Sequence, residues 1–277
     1  MSYSDHHFEH AIDLISHFSH ISSLYVDGET YSAQLLRPPT PQRQIRADTF
    51  AVLCKDEIDS TGLQALFQHA DLDATRSLVI FERSFGLPSD ATGLVLQAAI
   101  RSCRHLRSLT CGDDSFERAL AHPLPIPTLR ELRTHTGRGS SLAEHWAKVA
   151  SLACSPLAST VRTLVVSMEY SRTVVENDIA SQAAIRADVG SVDWSAVNLA
   201  LTDLPALRVL DVVVEVEMHN DVWAGTDFMM DRMRFRDSSR MDPEEFRVMV
   251  EDAVQAGLLL APNQTLELSV SIRDIGW

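Results

Sequence analysis

One short phrase recurs along the chain: an apolar residue, two variable residues, a leucine, one variable residue and a further apolar residue. It stands as Ile21-Ser-Ser-Leu24-Tyr-Val26, Phe50-Ala-Val-Leu53-Cys54 and Thr75-Arg-Ser-Leu78-Val-Ile80. It returns as Leu106-Arg-Ser-Leu109-Thr-Cys111, Leu129-Arg-Glu-Leu132-Arg-Thr134 and Val161-Arg-Thr-Leu164-Val-Val166. The last copies are Leu207-Arg-Val-Leu210-Asp-Val212 and, in reduced form, Gln264-Thr-Leu266-Glu-Leu268. Successive reference leucines are 29, 25, 31, 23, 32, 46 and 56 residues apart. A unit of this size cannot bury its own apolar face, so copies must stack and share one core. The chain therefore reads as one elongated array rather than as two globular domains.

The alternation inside each phrase has the period of a strand. Leu210, Val212, Val214 and Val216 fall on one face, and Asp211, Val213, Glu215 and Glu217 on the other. Between strands the period becomes helical. Leu142, Trp146, Val149, Ala150 and Ala153 form one stripe, and Phe246, Met249, Val250, Ala253 and Val254 form another. The second helix carries full punctuation, with Asp242 placed as N-cap, Pro243 at the first turn and Gly257 just past the end. Further helices are expected near 61–69, 90–102, 114–121 and 192–201. Alternating strands and helices imply parallel pairing with right-handed crossovers. The first five spacings lie in or near the leucine-rich-repeat range. The expected fold class is thus α/β: an irregular leucine-rich-repeat solenoid, with a parallel sheet on the inner curve and helices outside. Residues 1–20 read as a polar, His-rich N-terminal segment and 21–277 as a single domain. The two long spacings place insertions near 169–191 and 218–241.

Charge narrows the partners. Lys and Arg number 24 against 38 Asp and Glu, a formal charge of −14. Such a field repels phosphate backbones and anionic lipid, which argues against nucleic-acid and membrane partners. Cys54, Cys103, Cys111 and Cys154 form no Cys-x-x-Cys pair and read as reduced core thiols. Met1 to His10 holds no apolar stretch of a secretory signal, and no run reaches the ~20 apolar residues of a bilayer span. The expected location is intracellular, cytoplasmic or nuclear, and the chain is expected to be monomeric by itself.

Trp194-x-x-Val197-x-x-x-Leu201, followed by Leu204-Pro205-Ala206-Leu207-Arg-x-Leu210, resembles the leucine-rich-repeat portion of F-box proteins from mushroom-forming fungi. There a Trp-bearing helix commonly precedes a Leu-Pro-x-Leu lead into a strand. The resemblance spans roughly 20–277. It implies the substrate-recognition half of a ubiquitin-ligase adaptor. An F-box signature of the Leu-Pro-x-Glu-Leu kind is not found: Leu87-Pro88, Leu124-Pro125 and Leu204-Pro205 all lie among the repeats. The adaptor-recruiting half is the part of the family pattern this sequence departs from.

Motifs for chemistry are sparse. His6, His7, His10, His17 and His20 crowd the N-terminus, but no second Cys/His cluster completes a metal site. Gly137-Arg-Gly139-Ser140-Ser141 lacks the spacing of a nucleophile elbow and reads as a turn with a Ser N-cap. No Gly-rich phosphate loop follows a strand. Arg232, Arg234, Arg236 and Arg240 interleave with Met229, Met230, Met233 and Phe235, an adaptable surface diluted by Asp227, Asp231 and Asp237. No catalytic residue, cofactor or metal ligand is therefore assigned. The alternative is an α/β hydrolase-like or metal-dependent enzyme with unrecognised motifs, which needs a deep pocket of convergent titratable groups.

The residues beside each repeat leucine carry the strongest functional expectation. If the leucines point inward, Tyr25, Val79, Thr110, Arg133, Val165 and Asp211 point out, with Asp27, Phe81, Gly112, His135, Ser167 and Val213 one pleat further on. Glu215 joins the same face beyond Asp211. Tyr25, Phe81, Arg133, His135, Asp211 and Glu215 are the expected contacts to a protein partner. Val79, Val165 and Val213 are apolar for a wetted sheet and call for a cover.

Overall fold

A computed structural model describes residues 15, 17–18, 20–28, 44–54, 60–82, 90–112, 126–135, 141–173, 187–219 and 243–275. Eight strands form one sheet: β1 (Ile21–Gly28), β2 (Ala47–Cys54), β3 (Ser77–Glu82), β4 (Ser108–Gly112), β5 (Glu131–His135), β6 (Thr163–Thr173), β7 (Val209–His219) and β8 (Thr265–Ile275). They lie in sequence order, and every neighbouring pair is parallel. The longer helices are α1 (Ser60–His69), α2 (Asp90–Ser102), α3 (Leu142–Ser151), α4 (Trp194–Thr202) and α5 (Pro243–Gly257); residues 187–190 are also helical, and short 3-10 turns lie at Leu72–Ala74, Leu152–Cys154 and Pro156–Ser159. The α/β class expected from the periodicity is the one observed, and these five helices match expected ones within a few residues. The helix expected at 114–121, the cap at Asp242, the Met/Arg segment and His6, His7 and His10 lie outside the described residues.

Alternation decides which face holds the core. Leu78, Ile80, Leu109, Cys111, Leu132, Leu164, Val166, Leu210 and Val212 are fully buried. They share one continuous cluster with Leu66, Ile100, Trp146, Val197 and Val254 from the five helices, so the helices cover that face. Cross-strand register puts one leucine beside the next: Leu78 on Leu109, Leu109 on Leu132, Leu132 on Leu164 and Leu164 on Leu210.

One register assignment is corrected. The sequence phrase makes Leu53 the reference residue of β2, but Phe50 pairs with Leu24 on one side and Leu78 on the other. Leu53 pairs with Asp27 and Phe81 instead, in a row of the opposite face. Phe50-Ala51-Val52 alternates as well as Leu53-Cys54 does. Burial of the large Phe50 ring, tilted against Phe67 of α1 at 5.9 Å, selects the first. β6 continues to Thr173 and β7 to His219, into the first residues of the two spans where insertions are expected; most of each span lies outside the described residues.

The leads into β3, β4, β5 and β7 are themselves a repeated structure. A backbone turn closes from Thr75 N–H to the Leu72 carbonyl, and again from Leu106 to Cys103, Leu129 to Ile126 and Leu207 to Leu204. Both ends of each turn are buried. The Leu-Pro-Ala-Leu phrase at 204–207 is one copy, with Pro205 fixing φ at a position that faces solvent.

The helices are seated by specific contacts. Ser141 accepts a bond from Glu144 N–H at 3.1 Å and caps α3, as its position suggested. Trp146 of α3 and Trp194 of α4 stand with ring centroids 5.3 Å apart. Asn198 of α4 donates to the Gly257 carbonyl and accepts from Leu259 N–H, both at 2.8 Å, which fastens α4 to the end of α5.

Candidate functional site

Strand register assembles the outward residues into rows. Tyr25 pairs with Ala51, Ala51 with Val79, Val79 with Thr110, and Thr110 with Arg133. Arg133 then pairs with Val165, Val165 with Asp211, and Asp211 with Glu267. All six outward residues expected for this row fall into it, and the tertiary structure adds Ala51 and Glu267. A strand spacing of ~4.8 Å makes the row about 29 Å long from Tyr25 to Asp211. It is a strip across a sheet rather than a converging cluster.

The second row is one pleat further along. His135 pairs with Gly112 and Ser167, and Ser167 with Val213. Its ring Nδ1 lies 3.3 Å from the Ser167 hydroxyl, so a hydrogen bond orients the imidazole across two strands. Phe81 pairs through its backbone with Leu53, and its side chain is outside the described residues. Glu215 stands in a third row between Glu169 and Ser271. Tyr25, Arg133, His135, Asp211 and Glu215 thus project from one sheet face at five separate places.

Exposure is uneven along the strip. Tyr25 is 57% exposed and Arg133 is exposed, whereas Asp211 and Glu215 are half-buried. Thr110 and Val165 retain only 6% and 2% of their surface. Val165 was expected to point outward and, being apolar, to need a cover. It does occupy the outward row, flanked by Arg133 and Asp211, and it is buried there without joining the main core cluster. The strip therefore offers a basic and aromatic side around Tyr25 and Arg133 and an acidic side at Asp211, Glu215 and Glu267.

A further row was missed in the sequence although its spacing is the same. Ser23, Thr49, Ser77, Ser108, Glu131, Thr163, Val209 and Thr265 stack in register at the leading ends of the strands. The signal is the residue preceding each inward reference residue, which is a hydroxyl in six of eight strands. Ser108 donates to Glu131 at 3.3 Å, so the row is linked across strands and not merely solvated.

Elsewhere the chemistry is quiet. An open groove of about 890 Å³ runs between α1 and α2, lined by Phe67, Leu94, Val95, Asp71, Asp73 and Arg101 among others. Its carboxylates are engaged: Arg46 lies 3.1 Å from Asp71, and Arg104 lies 3.9 Å from Asp73. Burial, together with the charge of Asp73, pushes the Cys103 thiol up to about 12 and makes it a poor nucleophile. Cys111 is buried, as expected of an inward repeat position. Among the described residues no group of three His, Cys, Asp or Glu is arranged to hold a metal ion, and no helix is long and apolar enough to cross a membrane. Comparison with protein-family models, with curated proteins and with solved structures finds no match.

Proposed function

We propose that the chain is an irregular leucine-rich-repeat solenoid that binds a protein partner on its outward strand face and carries out no catalysis. The observation behind this reading is the registered row from Tyr25 to Glu267, in which each repeat contributes one outward residue at the same height. A rigid sheet holds such residues without further loss of backbone freedom, so binding costs little ordering entropy. Tyr25 and Arg133 are the anchors, because aromatic and Arg side chains carry most interface energy and both are exposed. His135 is held by Ser167 to present a fixed ring edge beside Arg133. A role as the substrate-recognition half of a ubiquitin-ligase adaptor rests on the resemblance to fungal F-box repeat proteins alone, because no F-box signature is found in this sequence.

The test is affinity capture from cells expressing the chain, with wild type compared against Tyr25→Ala combined with Arg133→Glu. Both side chains are solvent-facing, so the melting temperature and circular dichroism should hold while the captured partner is lost. A partner retained by the double variant would show that this face is not the binding surface.

A further inference from the structure

Five arginines precede the outward hydroxyl row, one per strand, from β3 to β7: Arg76, Arg107, Arg130, Arg162 and Arg208. Their backbones are bonded in sequence. Arg107 N–H donates to the Arg76 carbonyl at 2.7 Å, and Arg130 to Arg107, Arg162 to Arg130 and Arg208 to Arg162 at 2.8 Å each. All five side chains are exposed. With ~4.8 Å per strand, the ladder is about 19 Å long.

Stacking five like charges is unfavourable, since neighbours directly across a sheet repel. Among the described residues few anions relieve it. Among the described residues the one carboxylate paired with the ladder is Asp48, 3.9 Å from Arg76 at its β2 end. Arg130 donates to the carbonyls of Pro127, Leu129 and Thr160 at 3.1, 3.2 and 3.5 Å, and Arg208 to that of Leu207 at 3.1 Å. Among the described residues these bonds use one terminal nitrogen of the Arg130 and Arg208 guanidiniums, out of five N–H groups on each. A continuous basic line thus stands on a chain whose net charge is −14.

We infer that this arginine ladder binds an extended acidic peptide segment of a partner protein, laid across the leading ends of β3 to β7. About six residues of extended chain, at ~3.3 Å each, match its length. Carboxylates are the fitting counter-groups, because a guanidinium pairs with them through two parallel bonds. A nucleic acid fits less well. Its charge continues beyond the ladder into the field of an acidic protein, and among the described residues the exposed aromatics Phe18 and Tyr25 stand at the far end by β1, away from the ladder. This surface is the strand ends, not the strand face of the proposed function, and the two can fail separately.

The test titrates the full chain against a fluorescein-labelled deca-glutamate peptide, with deca-glutamine and a ten-nucleotide oligothymidine as comparators. Deca-glutamate should bind, deca-glutamine should not, and added salt should weaken binding. Arg107→Glu, Arg130→Glu and Arg162→Glu together should weaken it at least about tenfold. The matching triple change to Lys, which keeps the charge and guards against misfolding, should weaken it less than the Glu triple does, because the charge stays while the two-bond pairing is lost. Arg101→Glu on α2, an exposed arginine outside both surfaces, should weaken it far less. Failure of deca-glutamate to bind, equal loss with Arg101→Glu, or tighter binding of the oligothymidine would overturn the assignment.

Discussion

Cys103 follows the last residue of α2 and is buried between that helix and the lead into β4. Desolvation disfavours its thiolate, and the nearby negative charge of Asp73 adds to that. The folded thiol titrates at about 12 against an ordinary 9.0, so its contribution to stability is whole below about pH 9. Above that pH the unfolded chain ionises first, and the contribution is lost as pH climbs toward 12. At pH 8 an alkylating reagent should label the exposed Cys154 quickly and Cys103 only as fast as the chain opens, read by residue-resolved mass spectrometry. Equal rates at the two thiols would contradict the burial. At the same scale Val165 separates two controls: its outward direction follows from alternation, and its burial depends on what stands alongside.

At the scale of elements, Gly257 marks a close approach between two helices. A Cβ at this position would lie 2.4 Å from Cδ2 of the Trp194 ring, inside any tolerable contact. The sequence supplies a different reason for this glycine, as the stop of α5. The structure shows that α5 ends against the indole face of α4, which itself rests on Trp146 of α3. Gly257→Val should therefore lower stability by roughly 1–3 kcal/mol, the usual cost of forcing extra volume into a packed site. Near-ultraviolet circular dichroism, which reports the paired tryptophans, should change with it. A Gly257→Val chain that melts like wild type with an unaltered near-ultraviolet spectrum would show that the indole yields freely.

At the scale of the whole molecule, one apolar cluster runs from Ile45 to Leu258 and links every described helix to the sheet. Leu164 lies mid-sheet between Leu132 and Leu210 and is fully buried. Leu164→Ala should cost about 2–5 kcal/mol and lower the urea midpoint of the entire chain with its slope unchanged. Two separate transitions would show that the sheet divides into independent units. Much of this architecture was legible beforehand: the strand period, the positions of α1 to α5, the Ser141 cap and the outward identity of Tyr25, Arg133, His135, Asp211 and Glu215. These depend on interactions within a few residues, where period, capping and turn chemistry act. The tertiary structure alone decided that Phe50 and not Leu53 occupies the inward row, since either satisfies the local alternation and only stacking between Leu24 and Leu78 distinguishes them. It also decided that Glu267 completes the strip and that five distant arginines become neighbours. Residues 76 and 208 are far apart along the chain, and parallel register alone places them in one line. Local sequence determines which way each side chain points; long-range register determines what it stands beside, and the proposed recognition surfaces are made of that second property.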